Sequence, residues 1–228
     1  MVTPQPAPRV LVTIPYRGTS PERQANYRLV REHVDQLLPG VEVVSVDSGH
    51  EPFNRAATRN ECVFQAQSAD VDVVVICDAD TLLQREPLLA AIHQAPLDGL
   101  VHNPFSVVRG LTKDATLRCL MGDQRPSKAA FQLSWAVGSA YVTTPTAWWA
   151  VGGMDERFTG WGFEDTAFAI AHRTLKAPMP RHEGVATQLW HPSAPRLGDP
   201  HYDAGVEHYA HYLAADGDPQ QIHELIDA

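Results

Sequence analysis

Val71-Asp-Val-Val-Val-Ile-Cys77-Asp78-Ala-Asp80 places five unbroken apolar residues, 73–77, directly before two carboxylates. A β-branched run of this kind, with no polar alternation, is the pattern of a strand buried on both faces, as in parallel sheets covered by helices. Two similar runs precede it. Val10-Leu-Val-Thr-Ile14 ends at Pro15-Tyr16-Arg17, and Val41-Glu-Val-Val-Ser-Val46 ends at Asp47-Ser48. Between them Ser20-Pro21-Glu22 has the form of a helix start, with Ser as cap and Pro at the first helical position. Tyr27, Val30, Val34, Leu37 and Leu38 continue at helical spacing until Pro39-Gly40. A second helix fits Arg55 to about Ser68. A third carries Leu88, Leu89, Ile92 and Leu97, with a short strand expected from Leu100 to His102. Strand and helix alternate, so the expected class is α/β, with a mostly parallel central sheet and helices on both faces.

Ligands of such sheets bind beyond the carboxyl ends of the strands. Here those ends read Pro15-Tyr16-Arg17, Asp47-Ser48 and Asp78-Ala-Asp80, so polar and charged groups recur where a site belongs. The second half alternates less regularly. Gly138 to Val142 reads as a strand and Pro145 to Val151 as a short helix carrying Trp148 and Trp149. A Gly/aromatic loop, Gly152-Gly-Met-Asp-Glu-Arg-Phe-Thr-Gly-Trp-Gly-Phe163, leads into a helix from Glu164 to Leu175. Further helices are expected near 203–213 and 219–227. No repeat or linker divides the 228 residues, so one domain is expected, with a frayed Pro-rich lead-in at 1–8.

Composition narrows the function. Lys+Arg 18 against Asp+Glu 27 gives a net charge of −9, which disfavours duplex nucleic acid as a partner. An anionic ligand must be met by a few local cations or by a metal. Cys62, Cys77 and Cys119 form no CxxC pair, so a disulfide scaffold is not expected, and Cys77 reads as a small buried hydrophobe. The N-terminal residues lack a charged-then-apolar signal pattern, and no apolar run approaches a bilayer span. The expectation is a soluble, cytoplasmic protein.

Four constellations carry possible chemistry. Asp78 and Asp80 repel one another at a strand end, and a divalent cation, Mn²⁺ or Mg²⁺, relieves that repulsion; two solvated loop aspartates are the plain alternative. Glu164 and Asp165 open a helix behind Gly160-Trp161-Gly162. There a carboxylate favours the helix terminus whether or not it acts as a general base. His191, in Leu189-Trp190-His191-Pro192, is either a metal ligand or an ordinary surface or core histidine. Phe53-Asn-Arg55-Ala56, followed by Arg59-Asn60, offers two arginines to a diphosphate or to solvent. His208 and His211 share a helix face without an evident carboxylate partner and read as surface.

Taken in order, these segments resemble the GT-A-fold glycosyltransferases, especially the β-1,4-galactosyltransferase family and its relatives in glycosyltransferase family 2. Ile14-Pro-Tyr-Arg17 is similar to the first-strand Ile-Pro-Phe-Arg, Phe53-Asn-Arg-Ala…Asn60 to Phe-Asn-Arg-Ala…Asn, and Asp78-Ala-Asp80 to the DxD motif. Gly152-Gly-Met-Asp…Gly160-Trp-Gly-Phe-Glu-Asp165 is similar to the Gly-Phe…Trp-Gly-Trp-Gly-Gly-Glu-Asp acceptor loop, with Phe163 in place of the second family Gly. The resemblance implies a UDP-sugar donor held by Pro15, Tyr16, Arg17, Asp47, Phe53, Arg55, Asn60, Asp78 and Asp80. It further implies Mn²⁺ (or Mg²⁺) on Asp80 and His191, a sugar pocket at Trp161, Gly162 and Glu164, and Asp165 as catalytic base for inverting transfer to a hydroxyl acceptor. Tyr16 or Phe53 would face the uracil, and Asp47 the base or ribose. The nucleotide-binding half would run to about residue 105 and the acceptor half over 106–195, followed by a C-terminal extension, 196–228.

Two rival readings stand beside this one. A sugar-nucleotide or carbohydrate-binding module of the same fold would lack turnover. A haloacid-dehalogenase-type phosphatase also begins with Asp-x-Asp, but there the motif ends the first strand and has Thr or Val at the fifth position, where this chain has Leu82.

Overall fold

The computed structural model describes residues 7–123, 128–192, 196 and 198–227; the first six residues of the Pro-rich lead-in lie outside them. In chain order the elements are β1 (Val10–Pro15), α1 (Pro21–Leu37), β2 (Glu42–Val46), α2 (Arg55–Ser68), β3 (Val73–Cys77), β4 (Thr81–Leu82), α3 (Arg85–Asp98) and β5 (Val107–Leu111). There follow α4 (Lys113–Leu120), β6 (Ala129–Leu133), β7 (Ala140–Thr143), α5 (Pro145–Trp149), α6 (Glu164–Leu175), β8 (Val185–Gln188), α7 (Pro200–Ala214) and α8 (Pro219–Ile226).

The central sheet has the order β2-β1-β3-β7, parallel except for β7, which runs against β3. Alternation along the buried strands explains the two helical layers, since successive side chains point to opposite faces. Val12, Ile14, Val73, Val75 and Cys77 pack with Val30 and Val34 of α1 and Leu88 and Ile92 of α3. Leu11, Val74 and Ile76 turn the other way, onto Ala56 and Val63 of α2, Trp148 of α5 and Phe168 of α6. The three cysteines are free and buried.

Local chemistry sets the helix ends as the residue types suggest. Ser20 Oγ accepts from the Arg23 amide ahead of Pro21, and Asn54 Oδ1 accepts from the Ala57 amide at the start of α2. Gly99, at φ 66°, closes α3 in the left-handed conformation that its missing Cβ permits.

One expectation needs correction, and the structure adds detail that the sequence did not mark. Leu100–His102 forms no strand; His102 makes a single bridge to Val142, after which Asn103 pairs with Arg181 instead and Pro104 has no amide to extend a ladder. Leu97 is 72% exposed, so the apolar stripe of α3 stops at Ala95. A second sheet, β4-β8-β5-β6, has no counterpart in the sequence reading. Its members are short, β4 having two residues, and β6 is largely exposed, so neither length nor alternation marks them.

The C-terminal segment is folded onto the rest. Tyr212, Ala215 and Ile222 of α7 and its neighbourhood pack with Phe158 and with Ala167, Ile170 and Ala171 of α6 as a third apolar cluster. Among the described residues no helix is long and apolar enough to cross a membrane.

Candidate active site

The second sheet brings the first pair of site residues together. β4 runs antiparallel to β8, with Thr81 opposite Gln188, and the Leu189 amide donates to the Asp80 carbonyl at 2.7 Å. Asp80 and His191 flank the end of that short ladder, and His191 Nε2 lies 3.0 Å from Asp80 Oδ2. The segment carrying His191 is tied down on both sides. Asn26 of α1 donates to the Trp190 carbonyl, and the Trp190 amide donates to Thr116 Oγ1 of α4. His191 Nδ1 faces the Pro192 carbonyl at 2.7 Å, an arrangement that makes it the donor and turns Nε2 toward Asp80. The hydrogen bond to Asp80 raises the imidazole's pKa, with burial opposing.

A carboxylate oxygen and an imidazole nitrogen suit Mn²⁺, and two neighbouring ligands about 2.1 Å from one octahedral ion lie about 3 Å apart. Both side chains remain about one-fifth exposed, so the pair is reachable. Among the described residues no third His, Cys, Asp or Glu joins them. An ion held there would take its remaining ligands from water or substrate oxygens.

Asp78 is turned the other way. Both of its oxygens lie 2.9 Å from Nη2 of Arg59, whose side chain is fully buried. The phosphatase reading is thereby left without a free nucleophile at Asp78. Burial pushes the Asp78 carboxyl up, Arg59 draws it back, and Asp80 pushes it up further. The other nitrogen of the same guanidinium, Nη1, donates to Asp165 Oδ1 at 2.6 Å. Tyr141 of β7 donates its hydroxyl to that same oxygen at 2.5 Å. Burial acts to raise the Asp165 pKa, but Arg59, Arg55 and the two hydrogen bonds outweigh it and hold the carboxyl below its ordinary range. The ionised form of Asp165 is thereby favoured, and its side chain is 22% exposed.

Glu164 is buried beside it. Its Oε1 is 3.0 Å from Arg55 Nε and 3.5 Å from Arg59 Nη1, ion pairs without a well-aligned hydrogen bond. Arg55 is thus paired with Glu164 rather than presented to a diphosphate. Two guanidiniums face three carboxylates across α2, the end of β3 and the start of α6. That mutual pairing is why these acidic residues tolerate burial.

The expected donor side is built on β1 and β2. Arg17 forks onto Asp47 with two 2.6 Å hydrogen bonds and also reaches the His50 carbonyl and Glu51. The hydrogen bond from Arg17 lowers the Asp47 pKa. Arg17 also covers one face of Phe53 at 5.3 Å, while Tyr16, just past Pro15, stacks on Tyr27 at 4.1 Å. One face of each ring is therefore occupied by protein. Asn60 is placed differently from expectation. Its amide nitrogen donates to the Met154 carbonyl and Glu156, and its oxygen accepts from Trp148 Nε1 and the Met154 amide. All four of its hydrogen-bonding positions are filled, so it fixes the Gly152-Gly153-Met154 turn and has none left for a nucleotide.

Trp161 and Gly162 lie where the loop meets the C-terminal segment. The Arg196 guanidinium sits 3.6 Å over the Trp161 ring, and Tyr202 stacks beyond it. Gly162 turns at φ 93°. Phe163 holds φ 74°, an uncommon conformation for a bulky residue, with its ring against Tyr202 and Tyr209. His208 is not a surface residue as expected. It reaches Asp155 at 2.7 Å, a carboxylate contributed by the loop rather than by its own helix.

In outline this is a mostly parallel sheet with a DxD turn at the end of β3, a second mixed sheet, and an acidic helix start joined to that turn through Arg59. The catalytic domain of Drosophila β1,4-galactosyltransferase 7, in a complex with xylobiose, superposes with a TM-score of 0.56 over 86% of this chain and 79% of that one, at 16% identity. The chain has the GT-A fold. A mutant of the same fly enzyme, in complex with manganese, UDP-Gal and xylobiose, aligns at TM-score 0.49 and 16% identity, covering 85% of this chain and 72% of that one. Residues 125–187 of the GT-A chain match the family model described as the N-terminal domain of galactosyltransferase. The match takes in Tyr141, Trp161 and Asp165 and stops short of His191. No curated protein sequence matches.

Arg59 and Tyr141 are the site residues that sequence reasoning did not assign. Arg59 was visible only as one of two arginines entering α2. Its partners come from β3 and α6, and no local spacing announces them. Tyr141 sits in an apolar run and reads as core, which its ring is.

Proposed function

We propose that this GT-A chain is a metal-assisted, inverting glycosyltransferase that moves a sugar from a nucleoside diphosphate, UDP in our reading, to a hydroxyl acceptor. The observation that carries this reading is the 3.0 Å approach of His191 to Asp80, which assembles an oxygen–nitrogen donor pair at the edge where the diphosphate would lie. A divalent ion bound there would supply charge neutralisation for the departing diphosphate. The chain's own groups account for the rest. Asp165, favoured in its ionised form and partly exposed, takes the proton of the acceptor hydroxyl as that oxygen bonds to the anomeric carbon. The bond from that carbon to the diphosphate oxygen breaks, and its electron pair leaves with the nucleotide. Asp47 and Phe53 line the nucleotide side, and Trp161, already packed by Arg196 and Tyr202, would meet a sugar ring by its edge or on displacement of Arg196.

The retention of a carboxylate favoured in its ionised form supports turnover over a binding-only module. Asp165→Asn separates the two readings. Nucleotide affinity should persist while turnover with Mn²⁺ and a UDP-sugar falls by orders of magnitude, because the variant keeps ground-state contacts and loses the proton acceptor. Undiminished turnover in the variant removes the base assignment. Absence of any nucleotide-sugar turnover in the parent protein, across donors that raise its melting temperature with Mn²⁺, removes the enzyme reading.

A further inference from the structure

Asp165 has two oxygens, and the structure treats them differently. Oδ1 receives both the Arg59 and the Tyr141 hydrogen bonds. Among the described residues no side chain or backbone amide donates to Oδ2. Gly138 faces that oxygen: a Cβ built there would lie 2.4 Å from Asp165 Oδ2 and 2.7 Å from its Cγ. The backbone at Gly138 is not in the left-handed region, so the missing side chain serves space rather than conformation. Arg59 cannot swing away, because its other nitrogen is held by Asp78 and its side chain is fully buried. Asn103 adds to the frame by donating to the carbonyls of Val137 and Ala140, on either side of Gly138.

Resting on the transferase reading above, we propose that Arg59, Tyr141 and Gly138 are positioning residues that pin Asp165 by Oδ1 and keep Oδ2 as the sole proton-accepting atom. Arg59 and Tyr141 act by orientation, and Gly138 acts by leaving the space that the carboxylate itself occupies. None of the three touches the reacting atoms; each acts through Asp165. The arrangement also ties the base to the DxD turn through a single guanidinium, so donor site and base share one fixed reference.

The groups facing Asp165 are Arg55 and Arg59 from α2, Asp78 beyond β3, Tyr141 of β7 and the adjacent Glu164. Removing the Tyr141 hydroxyl takes away a donor to the ionised form, so the acid limb of the rate profile should move to higher pH.

Tyr141→Phe and Gly138→Ala test this, since Phe keeps the ring packing against Trp148 and Phe168 and Ala is the smallest addition. The readouts are kcat, UDP affinity with Mn²⁺ by calorimetry, and titration of the Asp165 carboxyl by infrared difference against Asp165→Asn. Tyr141→Phe is expected to lower kcat about tenfold, leave UDP affinity unchanged, and raise both the acid limb and the infrared midpoint. Gly138→Ala is expected to lower kcat at least as much with the same UDP affinity, because the added methyl displaces the carboxylate. Unchanged kcat and midpoint in Tyr141→Phe and Gly138→Ala, in a parent that transfers sugar, overturn this assignment alone. A parent that binds UDP without transfer overturns it together with the transferase reading.

Discussion

At the residue scale the decisive contacts are those that join parts of the chain remote in sequence. Asp80 and His191 meet only because a two-residue strand pairs with β8, and each then presents a single donor atom to the same point. Asp80→Ala and His191→Ala should each weaken Mn²⁺-dependent UDP binding about tenfold or more while leaving metal-independent binding alone. Titration calorimetry with and without Mn²⁺ reads the difference, and equal affinities in parent and variant would remove both ligands from the account. Much of this scale was legible beforehand. Asp80 is a candidate from its strand end, and His191 and Asp165 enter through the family resemblance, since a carboxylate at a helix start and a lone imidazole are ordinary by themselves. The engagement of Asn60 by Met154 and Trp148 was not legible, since its partners lie on a turn and a helix from the other half of the chain. The same holds for the pairing of Arg55 with Glu164.

At the element scale, α2 and the Gly/aromatic loop do most of the positioning. Asn54 caps α2 and also donates to the Glu156 carbonyl at 2.6 Å. Asn54→Ala should cost about 1–2 kcal/mol, and Asn54→Ser, which keeps a capping oxygen without setting a carboxylate against the Glu156 carbonyl, should cost less. Urea midpoints compare the two, and equal losses would remove the cap as the cause. Phe163 presents competing terms. Its φ of 74° costs about 1–2 kcal/mol relative to Gly, while its partly buried ring contacts Tyr202 and Tyr209 and packs over Gly205. Removing a fully buried Phe ring costs about 3–5 kcal/mol, and a partly buried one less, so packing outweighs strain by a small margin. Phe163→Gly should lose about 1 kcal/mol and loosen α7, which hydrogen exchange on residues 200–214 would register as faster amide loss. A stabilised variant with unchanged exchange would reverse that ranking. The strands and helices of the first half were readable because burial on two faces and good caps leave strong periodic marks. The second sheet was not, because two- to five-residue strands on a partly exposed surface carry no period long enough to recognise.

At the scale of the whole molecule, the C-terminal helices are joined to the Gly/aromatic loop through Asp155. That carboxylate is 5% exposed and accepts from Arg157, His208 and Tyr212. Burial alone would raise its pKa, yet the hydrogen bonds from Arg157 and His208 bring it down to about 2. A carboxyl depressed in the folded state contributes stability above its unfolded value and loses it as the pH falls toward the folded one. Here the contribution is about 2 kcal/mol, present at pH 5 and largely gone near pH 2. Asp155→Asn should therefore lower the urea midpoint at pH 5 and flatten its decline on acidification. An Asn variant whose acid decline parallels that of the parent would show the loss to lie elsewhere.

Because Arg59 answers to one aspartate in the first half of the polypeptide and another in the second, the two halves cannot be exchanged independently between relatives. A chimera that inherits this arginine without an acid at position 165 keeps Asp78 on Nη2 but leaves Nη1 of a fully buried guanidinium without its carboxylate hydrogen bond. Recombination within this lineage would succeed only where both partners of that guanidinium travel together.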